Sequence, residues 1–346
     1  MNVCVPFICL ALGAAINWRG LPQPALKAFD RLMNLALVVL MLVIGLNIGI
    51  SDAVMENLGR IGLRCLLISL AAVWCSVGLV WCCEKTVMPL ERIRLQLARE
   101  QGGFDGPDTS GMRELSAGQC HQRVSDGAFS DTSGDDGCKG GVSPLVIVMP
   151  GCIVIGILAG YFCLRSGSAS WLDTALTLSL IFLYTGVGVS LASNKQVFGY
   201  IRRLGLRVLF MPAAIFLGCL AGGFLAGWLL SVPVSWSVLS AGGMGYYSLT
   251  GAFLTENFGI EAGTYGFIVN ILRDVLTVAF LPVLIRVSKG SPIASGAAGC
   301  MDTMLVPVSR VVGSELSMVA LISGTILTFV VPLWLPVGAG LLGSFS

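Results

Sequence analysis

Long apolar stretches alternate with short polar segments along most of the chain. A helix that crosses a bilayer needs about 17–25 predominantly apolar residues. The sequence predicts eight such helices, over residues 2–17, 32–50, 61–83, 144–164, 173–191, 206–230, 264–285 and 315–341. This pattern predicts an all-α polytopic membrane protein, because only structures that satisfy their own backbone hydrogen bonds can cross lipid.

Two further segments are apolar but interrupted by glycine. Residues 236–258 carry a glycine-rich run that includes Gly243 and Gly245, and residues 291–312 carry another that ends at Gly299. Broken segments of this kind are typical of re-entrant hairpins in secondary transporters. We therefore predict two re-entrant hairpins, named here the first hairpin and the second hairpin in chain order.

Basic residues are concentrated in alternate loops. Loops 18–31, 84–99 and 192–207 are rich in Lys and Arg, whereas loops 51–60 and 166–172 carry few. Cytoplasmic loops carry an excess of Lys and Arg, so the basic loops are assigned to the cytoplasm. The chain is predicted to lie in a bacterial inner membrane with both termini in the periplasm.

The same rule decides how the first hairpin is interpreted. If residues 236–258 leave the membrane on the side where they enter it, the next span (264–285) ends in the cytoplasm. Arg286 and Lys289 then lie on the cytoplasmic side, whereas a full crossing would place both charges outside. The positive-inside rule favours eight spans with two hairpins.

Charge divides the chain into four regions. Residues 84–143 carry 17 of the 40 charged side chains, 7 basic and 10 acidic, and show no sustained hydrophobic period. That composition predicts a disordered cytoplasmic loop. It separates a three-span repeat at 1–83 from a second at 144–230, and residues 231–346 hold the two hairpins, their following spans and the substrate site.

Two internal similarities indicate inverted repeats. Within 1–83 and 144–230, Arg60-Ile61-Gly62-Leu63-Arg64 is echoed by Arg203-Leu204-Gly205-Leu206-Arg207, and Gly45 corresponds to Gly186. A weaker echo relates Gly243-Met244-Gly245, Gly259 and Pro282 to Cys300-Met301-Asp302, Gly313 and Pro336. A unit with an odd number of crossings has its copy in the opposite membrane orientation, as in many secondary transporters.

Composition excludes several other classes of protein. The net charge of +2 is too small for nucleic-acid binding, and the single histidine, His121, lies in the polar loop, which argues against a zinc site. The twelve cysteines lie mostly in apolar spans and are predicted to be reduced and structural. The apolar N-terminus lacks a basic n-region and is predicted to be a retained span. We expect no cofactor and no enzymatic activity.

Acidic residues inside a membrane are costly and therefore carry a functional hypothesis. Asp274 lies midway along the span 264–285, and Asn270, Asp274 and Thr277 share one helical face. That face should contact protein or water, not lipid. An alternative for Asp274 is a neutral buried ion pair with Arg273 or Arg310.

Two further acids lie in the predicted hairpins. Asp302 follows the glycines of the second hairpin, where it can bind a ligand or cap a half-helix. Glu256 ends the first hairpin, where it can bind a cation or simply lie at the membrane interface.

The C-terminal third resembles a known family. The motifs are Gly245-Tyr246-Tyr247-Ser248-Leu249-Thr250-Gly251, Leu254-Thr255-Glu256-Asn257-Phe258-Gly259, Asn270-x-x-Arg273-Asp274 and Gly299-Cys300-Met301-Asp302-x-x-x-x-Pro307-Val308. They are similar to the signature of the bacterial lysine exporter family, with Asp274 in place of a family Glu. The resemblance implies an eight-span exporter of L-lysine or a similar cationic amino acid, in which Asp274 and Asp302 are the paired functional acids.

A cationic substrate suggests a mechanism. Lysine carries two ammonium groups, which carboxylates bind, and an α-carboxylate, which backbone N–H groups bind. A carboxylate away from water can hold either a proton or an ammonium group, so we expect proton antiport driven by the proton motive force. Candidate residues are Asp274, Asp302, Glu256, Asn270 and Arg273, with hairpin backbone at Gly243, Gly245, Ser248, Gly251 and Gly299.

Two other functions fit parts of the pattern. A sodium-coupled importer of a small solute would use the same hairpins, with Asp302 and backbone carbonyls around the ion. An intramembrane diaspartyl protease would use Asp274 and Asp302 as acid and base, but its motifs match poorly. The expected partners are the amino acid and the lipid bilayer, without nucleic acid, and the sequence allows a homodimer.

Overall fold

The computed structural model describes residues 4–16, 23–86, 152, 155–162, 170–193 and 206–342. The described residues are helical and contain no β-strand. The predicted polar loop beyond residue 86, much of the predicted span 144–164 and the basic loop 194–205 lie outside the described residues.

The helices follow the apolar stretches of the sequence. They are α1 (Cys4–Ile16), α2 (Gln23–Ile50), α3 (Asp52–Thr86), α4 (155–162), α5 (Ser170–Ser193), α6 (Phe210–Leu230), α7 (Val234–Ala241), α8 (Tyr247–Phe258), α9 (Ile260–Val287), α10 (Ser291–Gly296), α11 (Leu305–Val312) and α12 (Ser314–Leu342). Two 3₁₀ turns, Leu206–Leu209 and Ala297–Met301, precede α6 and follow α10.

Within the described part, four helices are long and apolar enough to cross a membrane. They are Gly59–Thr86, Phe210–Leu230, Ile260–Val287 and Leu316–Leu342, and the shorter apolar helices Leu35–Ile50 and Thr174–Val189 match two more predicted spans. Large apolar side chains also face outwards, with Phe162 at 75%, Trp228 at 74% and Leu229 at 79% exposure. An apolar exterior of this kind suits lipid. The chain is therefore an all-helical, multi-pass membrane protein, and the number of spans remains a prediction.

Glycines bring two pairs of the first six helices into close contact. Gly13 of α1 lies against the backbone of Thr185 in α5, and Gly49 of α2 lies against Ile157 in α4. Small residues allow helices this close in membranes. If α1–α3 and α4–α6 are two copies, the α1–α5 and α2–α4 contacts are the same contact made twice.

The first hairpin is formed by α7, α8 and the turn 242–246 between them. Its two ends lie at the same level of α9, because the ring of Trp236 lies 6.1 Å from that of Tyr265 and Thr255 contacts Gly263. Two residues of helix span only about 3 Å. The chain therefore returns at the end of α8 to the level at which α7 began.

The second hairpin is formed by α10, the turn region 297–304 and α11. The tips of the two hairpins are their turns, residues 242–246 and 297–304. The helix that follows, α12, passes beside both tips, because Gly324 contacts the backbone of Met301 and Trp334 contacts Gly242. Both hairpins therefore pack against the long helices α9 and α12.

Equivalent glycines end the two hairpins. Gly259 and Gly313 have φ values of 90° and 92°, and each lies between the second hairpin helix and the long helix that follows. Their ψ values are 173° and 164°, and this combination of φ and ψ is essentially restricted to glycine. This parallel supports the weaker repeat that the sequence predicts.

Candidate functional site

The tips of the two hairpins meet. The backbone N–H of Ala298 donates to the carbonyl of Met244 at 3.0 Å. Met244 and Ala297 have positive φ values of 50° and 43°, which are uncommon for residues with a side chain. Strained backbone of this kind is found at functional sites, where the surrounding structure holds it in place.

Asn270 ties the first tip to the middle of α9. Its Oδ1 accepts a 2.7 Å hydrogen bond from the N–H of Gly245, and its Nδ2 donates to the carbonyls of Ser240 and Gly266 at 2.9 and 2.7 Å. The side chain is 1% exposed. Asn270 satisfies three backbone groups and fixes the distance between the turn and α9.

Asp274 lies one helical turn further along α9, between the two tips. Its Oδ2 accepts a hydrogen bond from Thr303 Oγ1 at 3.4 Å, which is long for a hydroxyl donor, and its Oδ1 is buried without a hydrogen-bond partner. A Cβ added at Gly245 or Gly299 would lie 3.4 or 3.3 Å from Oδ1. Two glycine turns thus leave the space in front of a buried carboxylate oxygen that has no partner.

Arg273 is buried at 2% exposure and points away from this space. Its guanidinium donates to four uncharged acceptors, the carbonyls of Ala294 and Ser295 at 2.9 Å, Cys219 Sγ at 3.0 Å and Ser76 Oγ at 3.4 Å. The two carbonyls belong to the C-terminal end of α10, which favours a cation. The hydrogen bonds of Arg273 therefore go to groups other than Asp274, although its charge acts on that carboxylate, and Arg310 is exposed.

The polar face predicted on α9 is turned towards protein. Thr277 is fully buried, and its hydroxyl contacts the carbonyl of Arg273 at 2.8 Å and Ser295 Oγ at 2.7 Å. Along this face, Asn270 contacts the first tip and Asp274 lies against both tips. Thr277 contacts the second hairpin.

Asp302 follows the second tip and is exposed. It lies within electrostatic reach of Asp274, and Tyr247 lies within reach of both carboxylates. No side chain caps the helix that begins at Leu305, so the structure does not support a capping role for Asp302.

Glu256 is placed elsewhere. It lies near the end of α8, where its Oε2 accepts a 2.9 Å hydrogen bond from Thr177 Oγ1 of α5. Nine residues of helix separate it from Tyr247 at the first tip, which is about 14 Å along the axis. The structure brings Asp274 and Asp302 together at the tips but leaves Glu256 at the base of the first hairpin.

The predicted hairpin backbone divides into two groups. Gly243, Gly245 and Gly299 lie in the tips, where Gly245 has a φ of 99°. Ser248 and Gly251 lie inside α8 and are buried, so their backbone belongs to a helix instead of a turn.

Several residues at the site carried no signal in the sequence. Ser76 and Cys219 accept from Arg273 through their side chains but are single small polar residues in apolar segments, and Ser295 accepts through its backbone carbonyl. Only an unexplained arginine within an apolar span could have predicted that such partners exist.

Comparison with known proteins identifies the family. The sequence profile of a family described as "Lysine exporter LysO" matches residues 7–92 and 151–338, which is most of the chain. No solved structure matches the chain.

Two curated relatives agree with this match. The chain is 30% identical over 185 residues to "Lysine exporter LysO" of Escherichia coli, and the match covers 53% of this chain and 60% of the relative. It is 26% identical over 193 residues to a Haemophilus influenzae protein whose provisional description is also that of a lysine exporter, covering 53% of this chain and 92% of the relative. The match to the Escherichia coli protein therefore spans less than two thirds of that relative.

Proposed function

The chain belongs to the lysine exporter family, and from that premise we propose that it exports L-lysine, with close cationic analogues, from the bacterial cytoplasm. The observation that carries the proposal is the buried Asp274 Oδ1, which has no hydrogen-bond partner and faces the two glycine turns. Arg273 and Thr303 act on the same carboxylate, but Oδ1 itself accepts no hydrogen bond, and a buried acceptor without a partner is unfavourable. A proton or a cation bound at Oδ1 during part of the cycle would remove this penalty.

The groups around Asp274 match the charges of lysine. Asp274 and Asp302 offer two carboxylates for two ammonium groups, and an ammonium group has three donors and no acceptor. The backbone N–H of Gly299 lies beside the space in front of Gly245, which suits the α-carboxylate of an amino acid, whereas the N–H of Gly245 is bonded to Asn270. Small-solute binding at a junction of broken helices is a recurring plan in secondary transporters.

Proton antiport follows from the energy of export. Moving one positive charge out of the cell against the membrane potential costs about 2.3 kcal/mol per 100 mV. A proton that enters for each lysine that leaves cancels this electrical cost. Because Asp274 can hold one cation or the other, binding of lysine requires loss of the proton, which couples the two fluxes.

The contact between Thr177 and Glu256 supports a re-entrant first hairpin. The positive-inside rule assigns the beginning of α5, where Thr177 lies, to the periplasmic side. If residues 236–258 crossed the membrane completely, Glu256 would lie near the cytoplasmic side, separated by most of the roughly 30 Å hydrocarbon core. The 2.9 Å hydrogen bond fits the re-entrant arrangement instead.

A reporter fusion tests this topology. We expect a fluorescent protein fused after Lys289 to fluoresce, because residues 286–290 are cytoplasmic in the re-entrant arrangement. A periplasmic reporter at the same site should be inactive. The opposite pair of results would mean that the first hairpin crosses the membrane.

Efflux of labelled lysine tests the function. Exporter-deficient cells loaded with a lysine dipeptide are compared with cells that express the wild type, Asp274→Asn or Asp302→Asn at equal membrane levels. We expect the wild type to accelerate efflux and both variants to abolish it. Glu261→Gln is the control, because Glu261 is an exposed acid in the first turn of α9.

The other outcomes distinguish the alternatives. No acceleration by the wild type would overturn lysine export, and sodium-dependent uptake would then favour the importer. Efflux that survives both Asp substitutions would agree with lysine export but would show that the substrate does not depend on Asp274 or Asp302. Family membership supports a transporter over the protease.

A further inference from the structure

A recess lies between α5 and α8, at the base of the first hairpin. It has a volume of about 530 Å³ and is lined by Thr174, Leu176, Thr177, Thr255 and Glu256. Sites for small molecules are typically about 300–1,000 Å³. Its lining thus includes three threonines and one carboxylate.

The lining is rich in acceptors. Thr177 donates its hydroxyl proton to Glu256 Oε2 at 2.9 Å, and Thr255 donates its own to the carbonyl of Gly251 at 2.8 Å. A carboxylate only accepts, and Thr177 already donates its proton to it, so Glu256 presents acceptors and negative charge to the recess, while the Thr255 oxygen lies against Gly263 of α9. The complementary ligand carries donors, positive charge and no acceptor, as a primary ammonium group does.

The recess is separate from the site at Asp274. Thr255 contacts Gly263, and Asp274 follows Gly263 by eleven residues on the same helix, about 16 Å along its axis. In the proposed topology this end of the first hairpin faces the periplasm. A cation released from Asp274 towards the periplasm would therefore reach the level of Glu256 near the end of its path.

We propose that this recess is a second cation site, on the exit side, where the carboxylate of Glu256, held by the hydroxyl of Thr177, binds the protonated amine of the exported amino acid before its release. The inference rests on the proposed function. It adds a second binding site to the one at Asp274 and Asp302. It also assigns a role to Glu256, which the structure separates from those two acids.

A second site on the exit side should affect the half-saturation concentration for lysine. A site near the periplasm should control how strongly lysine binds from outside, while the central acids control transport in both directions. Substitutions in the recess should therefore change the half-saturation concentration on one face only.

The experiment uses purified full-length protein in liposomes, with its orientation determined by protease accessibility, and measures exchange of labelled lysine. Half-saturation is measured separately for lysine on the periplasmic and the cytoplasmic faces. Glu256→Gln retains a carbonyl oxygen for Thr177 but loses the charge, so the fold should be preserved. We expect its periplasmic half-saturation concentration to rise about tenfold and its cytoplasmic value to stay within about twofold.

Two threonine variants sharpen the test. Thr177→Val removes a hydroxyl of the recess and should raise the periplasmic value several-fold. Thr185→Val is its control on the same helix, and no change is expected, because the Thr185 hydroxyl lies two turns from Thr177, where it donates to the carbonyl of Ile181 and contacts Cys9 of α1.

Each remaining outcome counts against a specific statement. Equal periplasmic half-saturation in wild type and Glu256→Gln overturns the exit site and leaves the proposed function intact. Changes of equal size on both faces overturn it too, because they indicate a general effect on transport. Absence of lysine exchange by the wild type overturns the proposed function and the exit site together.

Discussion

The backbone N–H of Gly245 donates a 2.7 Å hydrogen bond to Asn270 Oδ1, which fixes the first tip one helical turn before Asp274. The same side chain also holds the carbonyl of Ser240, in the helix that leads into the tip. Asn270 therefore sets the geometry of the turn that faces the buried carboxylate.

Replacement of Asn270 should damage both stability and transport. Asn270→Ala leaves the buried Gly245 N–H without a partner, whereas the Ser240 carbonyl keeps its hydrogen bond from the N–H of Gly243. A buried unsatisfied group costs about 1–3 kcal/mol, so we expect the free energy of unfolding in detergent to fall by about 2 kcal/mol and efflux to be lost. Asn257→Ala is the control, because Asn257 bonds to Phe253 within its own helix. An unchanged unfolding midpoint in Asn270→Ala would show that the hydrogen bonds of Asn270 do not stabilise the first tip.

Efflux should respond to the pH outside the cell. If Asp274 exchanges a proton for an ammonium group, protons on the periplasmic side displace lysine there and drive the return of the empty site. Acidification outside at constant internal pH should therefore accelerate net efflux, and collapse of the proton gradient should slow it. Liposomes with imposed pH gradients measure this directly. A rate that is independent of the gradient would exclude proton antiport while leaving export possible.

Arg273 should act through its shape as well as its charge. The guanidinium bonds to acceptors in α3, α6 and α10, and a lysine ammonium cannot reach all of them from one position. We expect Arg273→Lys to lower the free energy of unfolding by about 2–4 kcal/mol, measured by denaturation in detergent. The exposed Arg286→Lys is the control, with no change. Near-normal stability of Arg273→Lys would mean that charge alone is required.

A methyl group at the second tip should obstruct the site. The Cβ of Gly299→Ala would lie 3.3 Å from Asp274 Oδ1 and 3.1 Å from Met304 Cγ, in the space assigned to the cation. Because overpacking costs about 1–3 kcal/mol, we expect the rate of lysine efflux to fall about tenfold while the protein remains folded. Gly78→Ala is the control, since nothing lies within 4 Å of a Cβ there. Wild-type efflux by Gly299→Ala would show that this space is not used.

The sequence by itself determined the class of the molecule and its candidate acids. Apolar stretches of membrane length, and acids such as Asp274 within them, stand out because lipid penalises polar groups so strongly. The i, i+4, i+7 spacing was enough to place Asn270, Asp274 and Thr277 on one face, since helical geometry is local. The family motifs are contiguous and for the same reason could be recognised without a structure.

Only the tertiary structure decided which of these residues meet. Gly245 and Gly299 are 54 positions apart, yet both turns lie against Asp274 Oδ1, and Glu256 is separated from the acids although it shares a motif with Gly245. The small residues Ser76 and Cys219 became partners of Arg273 in the same way. Such contacts depend on how hairpins fold back against the long helices, which is set by packing between segments distant in sequence and leaves no local pattern.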